Sequence, residues 1–131
     1  KTGNDFAKHL ENNAADYDLE TLVSDAFDLL AKYAVGCLFI EKNQFDFKFL
    51  ADNYRVYRKK FFETMKQYLA AFIESGKVRP LEQIELSTML IIEILSWWAM
   101  DIRYTSFETQ DISPELAKKV CIDNILSAYK A

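Results

Sequence analysis

The chain has 131 residues, of which half are hydrophobic and 15% aromatic, and this composition excludes disorder. Three Gly and two Pro make up about 4% of it, against an average near 12%, too few for the turns of a many-stranded sandwich or barrel. Sixteen basic and twenty acidic residues give a net charge of −4, which argues against a chain that grips phosphates directly.

In chain order, a short helix is expected over about Asn4 to Ala14, with Phe6 and Leu10 as its apolar pair. A second helix starts at Asp18, a good N-cap, with Glu20 at the positive end of the dipole and Tyr17 and Leu22 placed as a hydrophobic staple. Leu19, Leu22, Val23, Ala26, Leu29, Leu30, Tyr33, Ala34, Cys37 and Ile40 then form one stripe. Val35 and Phe39 point away from it, so Gly36 is expected to mark a kink, and Glu41 to Asp46 a loop.

A third, long helix is predicted from about Phe47 to Ser75, with Gly76 as the left-handed residue that ends it. Its apolar face carries Phe47, Leu50, Tyr54, Tyr57, Phe61, Met65, Tyr68, Leu69 and Phe72. Pro80 is expected to open a fourth helix that runs to about Tyr104. Thirteen of the 19 residues from Ile84 to Ile102 are apolar and surround almost the whole axis, the mark of a helix shielded on every side. Glu85, Glu93 and Asp101 within that stretch argue against a membrane span. After a loop from Thr105 to Ile112, Ser113 caps a fifth helix with Pro114 at its first position and Glu115 in its first turn. Cys121, Ile122, Ile125, Leu126 and Tyr129 form one of its faces, with Leu116 and Val120 on the other.

The reading is therefore one all-α domain of five helices, with no internal repeat, Gly-rich loop or linker. A chain of this length has little room to shield the fourth helix all round. The economical arrangement packs one face inside the domain and the other against a second copy. The last two helices would then form an intermolecular four-helix bundle in a homodimer. The candidate interface residues are Leu90, Ile94, Trp98, Ile102, Ile122, Ile125, Leu126 and Tyr129.

The long amphipathic helix, the turn Glu74-Ser75-Gly76-Lys77-Val78-Arg79-Pro80, the nearly all-apolar helix with Trp97-Trp98 and the capped last helix resemble the C-terminal effector-binding and dimerisation domain of TetR-family transcriptional regulators. The resemblance covers about Asp18 to Tyr129. It implies that residues 1–131 are the ligand-binding and dimerising half of such a regulator. A small molecule would enter the helical domain, and DNA would be read only by an N-terminal helix-turn-helix domain absent from this chain. Lys1 in place of Met fits a fragment or a processed chain. A helical protein–protein interaction module is the alternative.

An effector pocket is expected between the second, third and fourth helices, lined from Tyr33, Tyr54, Tyr57, Phe61, Met65, Met89 and Trp97. Arg58 lies within the apolar stripe of the third helix, where a charge must be paired or must reach out to water. It is the candidate anchor for an acidic effector, with an ion pair to Asp101 or Glu93 as the plainer role. The other basic residues near it, Arg55, Lys59 and Lys60, read as a solvated helix face.

Catalysis and cofactors find little support. His9 is the only histidine, no nucleophile sits beside a recognisable base, and the pair Glu82/Glu85 has no histidine at metal-ligand spacing. Cys37 and Cys121 lie among apolar residues and read as small buried thiols, which with the lack of a signal segment suggests the cytoplasm.

Overall fold

The computed structural model describes Phe6, Lys8, residues 16–107 and residues 111–131. These residues fold into five helices with no sheet. They are α1 (Leu19–Lys32), α2 (Ala34–Lys42), α3 (Lys48–Glu74), α4 (Ile84–Ser96) and α5 (Pro114–Tyr129). A π-helical turn, Trp97–Asp101, and a last helical turn, Ile102–Tyr104, prolong α4. The helix expected over Asn4 to Ala14, with Leu10 and His9, lies outside the described residues apart from Phe6 and Lys8. Among the described residues, no helix is long and apolar enough to cross a membrane.

α1 begins as its sequence dictates. The Asp18 carboxylate accepts from the Thr21 backbone N–H at 2.9 Å and from the Thr21 hydroxyl at 2.8 Å. The first of these bonds holds the Asp18 carboxyl below its ordinary range. Its stabilisation is therefore present at neutral pH and is lost as pH falls below about 4, through the ordinary carboxylate value toward the lower folded one. Asp18→Ala is expected to cost about 1 kcal/mol at pH 7. Urea unfolding of both chains checks this, and the gap between them should narrow as the solution is acidified.

The break between α1 and α2 falls at Tyr33 (φ −106°, ψ 16°), whereas Gly36 lies inside α2. The cause is packing. α1 lies against α4 and α5, while α2 turns toward α3 and the π turn, where it buries Ala34 and Leu38. α2 also continues to Lys42, so the connection to α3 is the five residues Asn43 to Phe47.

α3 ends in a Schellman arrangement. Gly76, at φ 80°, donates to the Ile73 carbonyl at 3.2 Å, and the Lys77 N–H donates to the Phe72 carbonyl at 2.8 Å. Pro80 does not open α4, which starts at Ile84. The backbone before the proline is committed elsewhere: the Arg79 N–H donates to the Tyr129 carbonyl at 3.0 Å, and Val78 and Lys130 form one antiparallel bridge. The Arg79 Nε also donates to the Ala128 carbonyl at 2.7 Å. This stretch is thus extended, and the helix begins only after it.

The core joins Leu22, Val23 and Ala26 of α1, Met65, Tyr68, Leu69 and Phe72 of α3, Ile91 and Leu95 of α4, and Cys121 and Ile125 of α5. An aromatic group seals one end. Tyr17, Tyr68 and Phe72 lie 5.2–6.3 Å apart by ring centre, and Phe6 packs on Phe61 and Tyr68. The Tyr68 hydroxyl donates to the Phe6 carbonyl.

α4 is not shielded on every side. Thr88, Ile91, Ile92 and Leu95 are buried, whereas Leu86, Met89, Leu90 and Trp97 are exposed. Thr88 tolerates full burial because its hydroxyl donates to the Ile84 carbonyl at 2.7 Å.

Candidate functional site

α2, α3 and the end of α4 border an open cleft of about 490 Å³. Its wall carries Glu41 from α2, Arg58 from α3, Glu93 and Ser96 from α4, and Trp97, Met100 and Asp101 from the π turn. The helices place these groups for local reasons. Ser96 and Trp97 lie three and four residues after Glu93, and Met100 lies four and three after them, which puts the group on one side of α4 and the turn that prolongs it. The π turn then widens the helix beside the cleft.

Arg58 is the centre of the site. Its Nη2 donates to the Ser96 Oγ at 3.2 Å and stands 3.9 Å from the Glu93 carboxylate. The Glu93 side chain is 74% exposed, so this long ion pair contributes little. The guanidinium lies 5.8 Å from the centre of the Tyr54 ring. Arg58 Nη1 is buried and has no hydrogen-bond partner. A buried donor left unbonded costs more than a typical bond contributes, and Nη1 is closed off from solvent and so from the open cleft.

The polar groups behind Arg58 are satisfied. Tyr54 donates its hydroxyl to the Glu41 carboxylate. Burial first, and then that bond, keep the phenol protonated far above its ordinary range. Burial also raises the pKa of the half-buried Cys37 thiol, against a partly opposing hydrogen bond involving Tyr54. Cys121, fully buried in α5, is pushed up to about 11 by burial. Both are unreactive thiols at neutral pH. Asp101 accepts from the Thr105 hydroxyl at 3.0 Å.

No protein-family model matches this chain, and no curated protein matches it either. The chemistry of the site therefore rests on its own residues. Among the described residues, no three His, Cys, Asp or Glu side chains are grouped to hold a metal ion.

The structure distributes the expected pocket residues unevenly. Arg58 and Trp97 line the cleft, and Tyr54 sits against Arg58 at its edge. Met65 is solid core, and Phe61 packs on Phe6. Tyr33, Tyr57 and Met89 are exposed and are not among the lining residues. Of the ion-pair partners considered for Arg58, Glu93 is the one in reach. Arg55, on the same helix, pairs with Asp52 at 3.1 Å and bonds Gln44 at 2.9 Å in solvent.

Glu41, Ser96 and Met100 were not anticipated. The signal available for Ser96 was that Glu93, Ser96 and Asp101 interrupt an otherwise apolar run. Glu41 carries no such signal, because the sequence pattern places it in a loop.

The interface candidates separate as well. Ile122, Ile125 and Tyr129 are buried in the chain's own core, Ile125 to 1% exposure, so they have little surface left for a partner. Ile94, Trp98, Ile102 and Leu126 are half-buried, and Leu90 is exposed. The exposed apolar side chains of the last two helices are Leu90, with Leu86 and Met89, on α4, Trp97 and Tyr104 on the turns that prolong it, and Leu116 and Val120 on α5.

Proposed function

We propose that the chain is the ligand-sensing and dimerising domain of a TetR-like transcriptional regulator, with DNA read by a domain outside these residues. The observation that carries this reading is the cleft between α2, α3 and α4, which brings the Arg58 guanidinium and a few other polar groups beside Trp97 and Met100. A pocket of this volume, apolar at Trp97 and Met100 and polar at a few fixed groups, suits a small molecule.

Trp97 supports the link between ligand and assembly. It lines the cleft, it is partly exposed, and its position falls on the same helical stripe as the exposed Leu86 and Leu90. A ligand that turns the Trp97 ring would then change the apolar stripe that we propose a second copy covers. Such coupling requires a ligand that binds two arrangements of the dimer with different affinity.

Light scattering should give a mass near twice the 15.3 kDa chain. Leu90→Glu, which places a charge at the middle of the outward face, should return the mass to that of one chain with its helical circular dichroism intact. A native chain that stays monomeric at high concentration would defeat the dimer reading. It would favour the alternative of a helical interaction module. That alternative draws on a second exposed apolar corner, with Phe45, Phe49 and Tyr57 around the start of α3.

A further inference from the structure

We propose that the corner where α2 turns into α3 is a membrane-contact surface, which seats its exposed phenylalanines in the headgroup boundary of an anionic lipid bilayer. The proposal is independent of the cleft and of the exposed stripe of α4.

The corner stands clear of the core. From Lys48 to Lys60 only Ala51 is buried, and no residue of that stretch belongs to the core. Phe45 is 93% exposed and Phe49 78%. A bonded turn holds them there. The Asp46 and Phe47 N–H groups donate to the Asn43 carbonyl at 3.1 and 3.0 Å, and the Asn43 amide donates to the Phe39 carbonyl at 2.8 Å. The Arg55 guanidinium donates to the Gln44 Oε1 at 2.9 Å, and the Phe39 and Phe47 rings pack at 5.4 Å. At about 100° per residue, Phe49, Leu50, Val56 and Tyr57 fall within an arc of about 120° on the side of α3 away from Ala51, and all four are exposed.

Charge decides what covers this face. Six of the sixteen basic residues and two of the twenty acidic ones lie within residues 42–60, so the stretch carries +4 in a chain of −4. Lys60 stands inside the apolar arc, and Lys48, Arg55 and Lys59 run along one flank of it. Asp52 is taken up by Lys48 at 3.2 Å and Arg55 at 3.1 Å, and Glu63 by Lys66 at 3.3 Å. Asp46 is exposed at the turn, while Glu41 and Arg58 belong to the cleft. Lys42, Lys59 and Lys60 form no ion pair among the described residues. An exposed apolar stripe edged by lysines matches the boundary of a negatively charged bilayer, where rings enter the lipid and ammonium groups stay at the headgroups. Leu50 and Val56 favour lipid over a nucleic acid, because an aliphatic group enters lipid but offers no ring on which a base could stack. The contact is peripheral, since no helix among the described residues is long and apolar enough to cross a membrane.

The test uses the 131-residue chain and co-sedimentation with vesicles of phosphatidylglycerol and phosphatidylcholine in a ratio of about one to two, set beside vesicles of phosphatidylcholine alone. The anionic vesicles should bind at least about tenfold more tightly, because each cation near such a surface contributes about fivefold. Added salt should weaken the binding. Phe45→Ser with Phe49→Ser should weaken it about tenfold or more, and so should Lys59→Gln with Lys60→Gln. All four side chains are exposed, so helical circular dichroism should not change. Phe45→Trp should add a tryptophan emission that shifts to the blue when anionic vesicles are mixed in.

A chain that ignores anionic vesicles at low salt would overturn the proposal. So would binding that the phenylalanine pair leaves untouched, which would reduce the contact to surface charge. A single-stranded oligothymidylate that binds more tightly than the vesicles, and loses its hold with the same four substitutions, would make the corner a nucleic-acid surface instead. Light scattering of the phenylalanine variant should match the native mass at equal concentration. A lower mass would make the corner a contact between copies and would likewise overturn the lipid reading.

Discussion

Phe72→Ala is expected to lower the unfolding free energy by about 3–5 kcal/mol. Phe72 is 5% exposed, on the last turns of α3, and its ring sits among Tyr17, Tyr68 and the Lys77 ammonium. Alanine removes the ring's burial and leaves a void under two tyrosines that cannot collapse freely, because their hydroxyls are anchored. Tyr17 donates to Asp25 at 2.8 Å and Tyr68 to the Phe6 carbonyl. The whole domain has roughly 7–20 kcal/mol of stability at 0.05–0.15 kcal/mol per residue, so this one change removes a large share of it. Urea unfolding followed by far-UV circular dichroism measures the loss. Phe72→Leu should recover much of it, since the aromatic contacts add only about 0.5–1.5 kcal/mol beyond burial. A loss under about 1 kcal/mol for Phe72→Ala would mean that this end of the core is not sealed.

Leu95→Ala should cost about 2–5 kcal/mol for a related reason. Leu95 is fully buried on the inner face of α4, the helix that touches α1, α3 and α5. Leu95→Met keeps the volume and should cost under about 1.5 kcal/mol. The informative comparison is Leu90→Ala, one turn away on the outer face and more than half exposed. In dilute solution, where a dimer dissociates, it should change chain stability by less than Leu95→Ala by several-fold. Equal costs at the two positions would contradict the division of α4 into an inner and an outer face.

Much of the fold was legible in the sequence because its signals are local. The Asp18 and Ser113 caps, the glycine stop after α3 and the long stripe through Met65, Tyr68, Leu69 and Phe72 each act within a few residues. The features that were misplaced depend on distant partners. Pro80 looks like a helix opener until the Arg79 bonds to the end of α5 hold that stretch extended. The break at Tyr33 follows from what α1 and α2 pack against, and not from the freedom of Gly36. The composition of α4 says that apolar groups surround its axis, but not which side the remaining helices cover.

The site was legible at Arg58, where a charge stood on an apolar stripe, at Trp97, and at Glu93 and Asp101 as acids offered to Arg58. Glu41 and Ser96 come from separate elements that sequence order does not bring together. The fully buried Met65 and the exposed Tyr57 belong to the same stripe of α3, yet they meet different surroundings because only part of that helix is covered.

The bonds between Arg79 and the end of α5 have a kinetic meaning. Arg79 and Ala128 are 49 positions apart, and their contact closes a loop that contains all of α4, the π turn and α5. Closing so long a span costs chain entropy that is recovered only once the helices inside it have formed and docked. The clasp therefore belongs to the late, native side of the folding barrier. Weakening it should leave the rate of folding almost untouched and appear as faster unfolding, so that these few bonds govern how long the folded chain lasts more than how quickly it forms.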